Sequence, residues 1–169
     1  MKSFSCETGF VLHAYICSFI SEMPCELEFE LKAIIPTDTS DGGYTVYIFN
    51  SERKIIIPII TNRWACESIL LAKDKIEMPR PHIHNTFMRT LLATGTDFKG
   101  ISIYKYLDDV FYAYLILESA GEIYEIDTRV TDAISLALLY GKPLIVQVEV
   151  YTVAGILIDK DLIQKSLES

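Results

Sequence analysis

An α+β domain, with mixed and antiparallel sheets and packed helices, is the architecture to expect from this chain, for three reasons. Strand-like runs come in pairs, each pair is followed by a helical stretch, and half of the 169 residues are hydrophobic. Grouped strands and helices, rather than strict alternation, favour α+β over a doubly wound parallel sheet. A chain of this size with that much apolar material buries a substantial core.

The elements follow in order. Residues Glu26 to Ile34 alternate charged and apolar side chains, the period of a half-buried strand. Thr37 to Gly43 is a turn cluster, and Tyr44 to Asn50 with Lys54 to Ile60 form a hairpin about Ser51, Glu52 and Arg53. A helix is predicted over Trp64 to Lys73, with Ala65, Ser68, Ile69 and Ala72 on one face. Pro79 and Pro81 stiffen a linker, because each fixes φ and removes a donor. A second helix starts near Asn85 and carries a stripe of Phe87, Met88, Leu91 and Leu92.

Ile101 to Leu107 and Val110 to Glu118 are strands joined by Asp108 and Asp109, with Leu107 opposite Val110. Counted by simple alternation, Tyr104 and Tyr106 share a face with Phe111, Ala113 and Leu115, while Tyr112 and Tyr114 share the other with Ile101 and Ile103. Both faces are mainly apolar, so these tyrosines read as core or interface rather than as a base-stacking platform. Glu122 to Asp127 is a third strand, and Thr131 to Tyr140 a helix that Gly141 caps and Pro143 follows. A short strand, Leu144 to Gln147, a short helix near Val148 to Ala154 and an amphipathic tail complete the chain.

Tyr44 to Ala72 and Asp109 to Ala137 both read strand, turn, strand, helix. At an offset of 65 positions Tyr47 falls on Tyr112, Glu67 on Asp132 and Ala72 on Ala137. Such a match predicts an internal duplication that sets Glu67 and Asp132 at equivalent helix starts. The domain limits are a 1–25 extension, a 26–157 domain and a 158–169 tail. The apolar run Gly9 to Ile20 is too short to span a bilayer, and no small-residue cleavage site follows it, which places the protein in the cytoplasm with no membrane contact. Cys6, Cys17, Cys25 and Cys66 have neither disulfide-framework nor zinc-finger spacing.

A net charge of −8 argues against affinity drawn mainly from phosphate neutralisation, though not against a local cationic cleft. No phosphate-binding glycine loop, serine-hydrolase elbow, HExxH or dinucleotide fingerprint is present. The densest polar cluster is Asp127 to Asp132 at a strand-to-helix junction. Asp127 and Asp132 suit metal ligation or acid/base work and Arg129 a phosphate contact; alternatively Asp132 caps its helix and pairs with Arg129. The second cluster is Arg80, His82 and His84. Two histidines without a third ligand make a weak metal site, and His84 is equally placed to cap the following helix.

These residues also carry a family resemblance. IPIITN (Ile57 to Asn62), PRP (Pro79 to Pro81) with His84, the VFYA hairpin (Val110 to Ala113) and DTRVTDAISLAL (Asp127 to Leu138) resemble the bifunctional nuclease domain family, in order, over about Glu26 to Leu157. The resemblance implies an α+β domain, often dimeric, with RNase and DNase activity. It carries over Asp127, Arg129, Asp132, Arg80 and His84 as site residues. Asn62 stands where the family has Gly, Ala65 where it has Glu and Asn85 where it has Asp, so two carboxylates are gone; Glu67 is positioned to replace one. The expected function is hydrolysis of RNA or DNA, with Asp127 and Asp132, aided by Glu67, holding Mg²⁺ or Mn²⁺, Arg80 and Arg129 clamping phosphate and His84 as general acid/base. The alternative is a non-catalytic homodimeric domain braced by the same charges. A homodimer is expected in either case, because the helices cover only one face of the hairpin.

Overall fold

The computed structural model describes residues 24–37 and 42–158. The extension and tail foreseen at the termini lie almost wholly outside these residues. Eight strands form one mixed sheet. They are β1 (Glu26–Pro36), β2 (Tyr44–Asn50), β3 (Ile55–Thr61), β4 (Asp97–Leu107), β5 (Val110–Ser119), β6 (Glu122–Arg129), β7 (Leu144–Gln147) and β8 (Ile156–Leu157). Four helices are described: α1 (Arg63–Lys73), α2 (Ile83–Ala93), α3 (Val130–Tyr140) and α4 (Val148–Ala154).

The strand order is β6-β5-β4-β7-β1-β2-β3-β8. Only the β4–β7 pair is parallel; every other pair is antiparallel. Two antiparallel meanders, β1-β2-β3 and β4-β5-β6, thus flank the short β7. The expected duplication is not confirmed beyond this shared order of elements. Burial differs between the units: β3 is buried or partly buried everywhere but at Ile60, whereas β6 is exposed at all but one position.

One core cluster joins the inward residues of the strands to the helices. It includes Leu27, Phe29, Val46, Ile48, Ile57, Ile101, Ile103, Leu115 and Val146, packed with Ile69, Met88, Ile134 and Val150. Alternate strand positions face the other way. There Tyr47, Phe49, Ile56, Tyr112, Tyr114, Ile116 and Ile145 are only partly buried.

Two sequence expectations need correction. Leu107 pairs with Val110 as foreseen, but the register shifts between Ile103 and Lys105. This bulge re-aims the strand. Ile103 therefore faces inward with Ala113, while Tyr104 stacks on Tyr114 with ring centroids 3.9 Å apart and planes 4° from parallel. In α2 the stripe begins one turn earlier than expected. His84 and Met88, four residues apart on one face, are buried, while Leu92, the next residue on that row, is 68% exposed in the last turn of the helix.

Candidate functional site

The site forms where two helix starts meet. Strand β6 runs directly into α3, with Arg129 as the extended N-cap residue. No side chain caps this helix, so the first-turn Asp132 places its charge where the exposed amide groups and the helix dipole favour it. The rest of α3 is almost entirely apolar, and seven of its residues are buried. Its first turn is thereby held rigidly against the core.

The linker through Pro79 and Pro81 keeps the backbone extended up to His82, the N-cap residue of α2. His84, in the first turn, is buried. The His-x-His pair therefore spans a helix start, and His84 does not cap it.

Four side chains connect in series across this junction. His82 Nδ1 lies 3.0 Å from His84 Nδ1, and His84 Nε2 lies 3.3 Å from Asp132 Oδ1. Arg129 Nε donates to Asp132 Oδ2 at 2.6 Å. The His84 contact, followed by Arg129, holds the Asp132 carboxyl below the usual carboxylate range against the opposing effect of its partial burial. Reciprocally, Asp132 raises the Arg129 guanidinium. Beside the series, Tyr140 donates its hydroxyl to Asn85 Oδ1 at 3.2 Å.

The other predicted residues are placed differently. Asp127 is exposed on β6 opposite Tyr114, and its Oδ1 accepts from the Tyr104 hydroxyl at 3.4 Å. Arg80 is exposed in the loop before α2. Glu67 is exposed as the fifth residue of α1, whose first turn holds no acidic residue, whereas Asp132 is the third of α3. The two are not at equivalent helix starts, since the 65-residue offset aligns the sequences but not the helix beginnings. Glu67 makes no hydrogen bond or ion pair with the series among the described residues.

Both oxygens of Asp132 are engaged, one by His84 and one by Arg129. Among the described residues no three His, Cys, Asp or Glu converge as metal ligands. As arranged, Asp127 and Asp132 do not fit a shared Mg²⁺ or Mn²⁺ site. What the group can do is bind an anion at Arg129 and move a proton along the imidazoles. His82 is the member that sequence reasoning discounted. The usable signal was its place directly before a helix start, two residues from His84.

The sequence pattern of the bifunctional nuclease domain matches residues 46–159, well over half the chain and all of the series just described. The chain belongs to the bifunctional nuclease domain family. Two curated relatives come from Mycobacterium tuberculosis: uncharacterized protein MT1877 of strain CDC 1551 / Oshkosh and uncharacterized protein Rv1829 of strain ATCC 25618 / H37Rv. Each is 29% identical over 102 residues, which cover 60% of this chain and 60% of the relative. The aligned region thus spans less than two thirds of either relative. Membership in the bifunctional nuclease domain family accords with the α+β fold, and no described helix is long and apolar enough to cross a membrane.

Proposed function

We propose that this bifunctional nuclease domain hydrolyses phosphodiester bonds of RNA or DNA at the junction of α2 and α3. The observation that supports this reading is the Arg129–Asp132–His84–His82 series. Arg129 is anchored through Nε alone and its side chain is 77% exposed, which leaves the outer guanidinium donors directed to solvent. A guanidinium so held offers paired donors to a phosphate. The imidazoles beside it supply the proton transfer that phosphodiester hydrolysis requires. With a net charge of −8, attraction for a polyanion has to be local. Arg80, two residues before His82, is the second cation of that local field.

The test is cleavage of fluorescent single-stranded RNA and DNA by the full chain in Mg²⁺, in Mn²⁺ and in chelator, beside Asp127→Ala and Arg129→Gln. Arg129→Gln is expected to lower cleavage by about tenfold to a hundredfold, the worth of a charge-assisted phosphate contact. The same assay decides the divalent-ion expectation: cleavage that survives chelator, or Asp127→Ala, removes the Asp127 metal role. Absence of cleavage in every condition would defeat the phosphodiesterase reading.

A second reading, a non-catalytic homodimer, is favoured by the partly exposed aromatic face that carries Tyr47, Phe49, Tyr112 and Tyr114. An apolar sheet face of that extent is a natural two-fold interface. Sedimentation as a monomer at micromolar concentration would remove it.

A further inference from the structure

We propose that His82 is the catalytic proton acceptor of this site and that His84 and Asp132 are the residues that position it. This deepens the phosphodiesterase reading and rests on it. With both rings neutral, the contacts assign the protons one at a time. An ionised carboxylate only accepts, so at the 3.3 Å contact His84 Nε2–H donates to Asp132 Oδ1. A neutral imidazole carries a single N–H, so His84 Nδ1 is then an acceptor. The 3.0 Å contact between the two Nδ1 atoms needs a donor, and His82 Nδ1–H supplies it. His82 Nε2 is left as a bare lone pair.

Exposure separates the two rings in the same direction. The His84 side chain is 10% exposed and both its nitrogens are engaged, so it has none to offer a substrate. His82 is only half-buried, and its Nε2 has no partner among the described residues. General base catalysis requires a lone pair within reach of the reacting hydroxyl, and of these two rings His82 is the one that presents it. Its backbone is extended at the helix N-cap, and its ring stacks on that of His84 with centroids 5.0 Å apart.

The step balances without an added reagent. As the oxygen of a water molecule bonds to phosphorus, one of its protons passes to His82 Nε2. The bond from phosphorus to the departing sugar oxygen breaks with its electron pair on that oxygen, which takes the proton back from Nε2. Throughout, His82 Nδ1–H remains on His84 and His84 Nε2–H on Asp132.

The series makes Asp132→Asn a tautomer switch. Arg129 Nε–H needs an acceptor where Oδ2 now stands, so the amide oxygen takes that place and the amide NH₂ faces His84 Nε2. His84 must then carry its proton on Nδ1, His82 Nδ1 must accept, and His82 Nε2 becomes protonated. A misassigned tautomer of this kind is costly to a base-catalysed reaction even when geometry is kept.

The experiment reads the tautomers of the ¹⁵N-labelled full chain by two-bond ¹H–¹⁵N spectra, for wild type and Asp132→Asn. It is joined to cleavage of single-stranded RNA and DNA by wild type, Asp132→Asn and His82→Ala. Wild type is expected to show His82 as the Nδ1–H form and His84 as the Nε2–H form, with both exchanged in Asp132→Asn. Cleavage should fall by about a hundredfold or more in both variants, the contribution of a general base. An Nε2–H form of His82 in wild type would overturn the proton assignment, and this readout needs no variant to fold. Cleavage by His82→Ala within about threefold of wild type would overturn its catalytic role and leave the phosphodiesterase reading standing. If wild type cleaves neither substrate, the phosphodiesterase reading and the catalytic role fall together, while the spectra still decide the hydrogen-bond series by themselves.

Discussion

The two hairpin-plus-helix units, β2-β3-α1 and β5-β6-α3, share an order of elements and are put to different uses. In the first, Ile55, Ile57 and Ile59 of β3 are buried and β8 extends the pairing beyond it. Its helix is capped by Asn62, whose Oδ1 accepts from Ala65 N at 3.0 Å. In the second, β6 ends the sheet with charged residues at Glu122, Glu125, Asp127 and Arg129. Charges on an edge strand discourage pairing with another chain. Its helix starts without a side-chain cap but with Asp132 drawn into the histidine series. One unit closes the core, and the other presents charged side chains on its edge strand and at its helix start.

The largest expected effect strikes the closed unit. A Cβ on Gly155 would stand 2.2 Å from the Tyr151 carbonyl oxygen and 2.7 Å from Ile55 Cγ2, so the turn from α4 into β8 has no room for one. Gly155→Ala should cost about 3 kcal/mol, the upper part of the overpacking range. For a chain of this length that lowers the thermal midpoint by about 6–12 °C. An unchanged midpoint would mean that β8 does not close this edge tightly, and the contrast between the units would dissolve.

Next in size is Asp132→Ala in the open unit. It leaves the buried His84 Nε2 without an acceptor, which costs about 1–3 kcal/mol. The lower end applies, because Arg129 is mostly exposed and solvent screens that half of the contact. The sign with pH follows from the depressed carboxyl. Its contribution is complete above the unfolded value of 3.8 and is lost as pH falls through the lower folded value. Denaturant titrations should therefore show wild type and Asp132→Ala furthest apart near neutrality and converging in acid; a constant gap would deny the pairing.

Much of this contrast was legible in the sequence, and the misses have physical causes. Both hairpins and α3 followed from periodicity, and Gly141 does cap α3 at φ 60°. Arg129 and Asp132 were found together because they lie three residues apart on one helix start. The His84 contact was not, since 48 residues separate His84 from Asp132 and only the packing of α2 on α3 unites them. Simple alternation puts Tyr104 on the wrong face because a bulge inserts a residue without any compositional signal, and one residue inverts every side chain beyond it. The insertion of β7 between β1 and β4 left no local trace either, because strand order is decided by burial of both faces rather than by any single segment.

Asn62→Ala sharpens the comparison at smaller scale. Its side chain accepts from the third amide of α1, and removing such a cap costs about 1 kcal/mol. The counterpart on α3 is Arg129, which caps nothing with its side chain. Chemical denaturation should register the first substitution clearly; equal effects at the two helix starts would count against the division of labour.

The smallest effect on stability is expected from Arg129→Gln, and it is the most informative. An exposed guanidinium three residues from its carboxylate forms a surface ion pair, worth about 0.5 kcal/mol or less once solvent screening is counted. The neutral amide of Gln can still donate to Asp132, so the unfolding midpoint should barely move. Anion binding should suffer far more, because the outer guanidinium donors have no other partner among the described residues. Pairing the denaturation curve with the affinity for a short single-stranded oligonucleotide, measured in chelator to exclude turnover, separates the two roles. An unmoved midpoint with weakened binding marks Arg129 as a residue retained for its ligand. A loss of stability comparable to that of Asp132→Ala, with binding intact, would instead make the whole series a brace between α2 and α3, and the open unit would be as structural as the closed one.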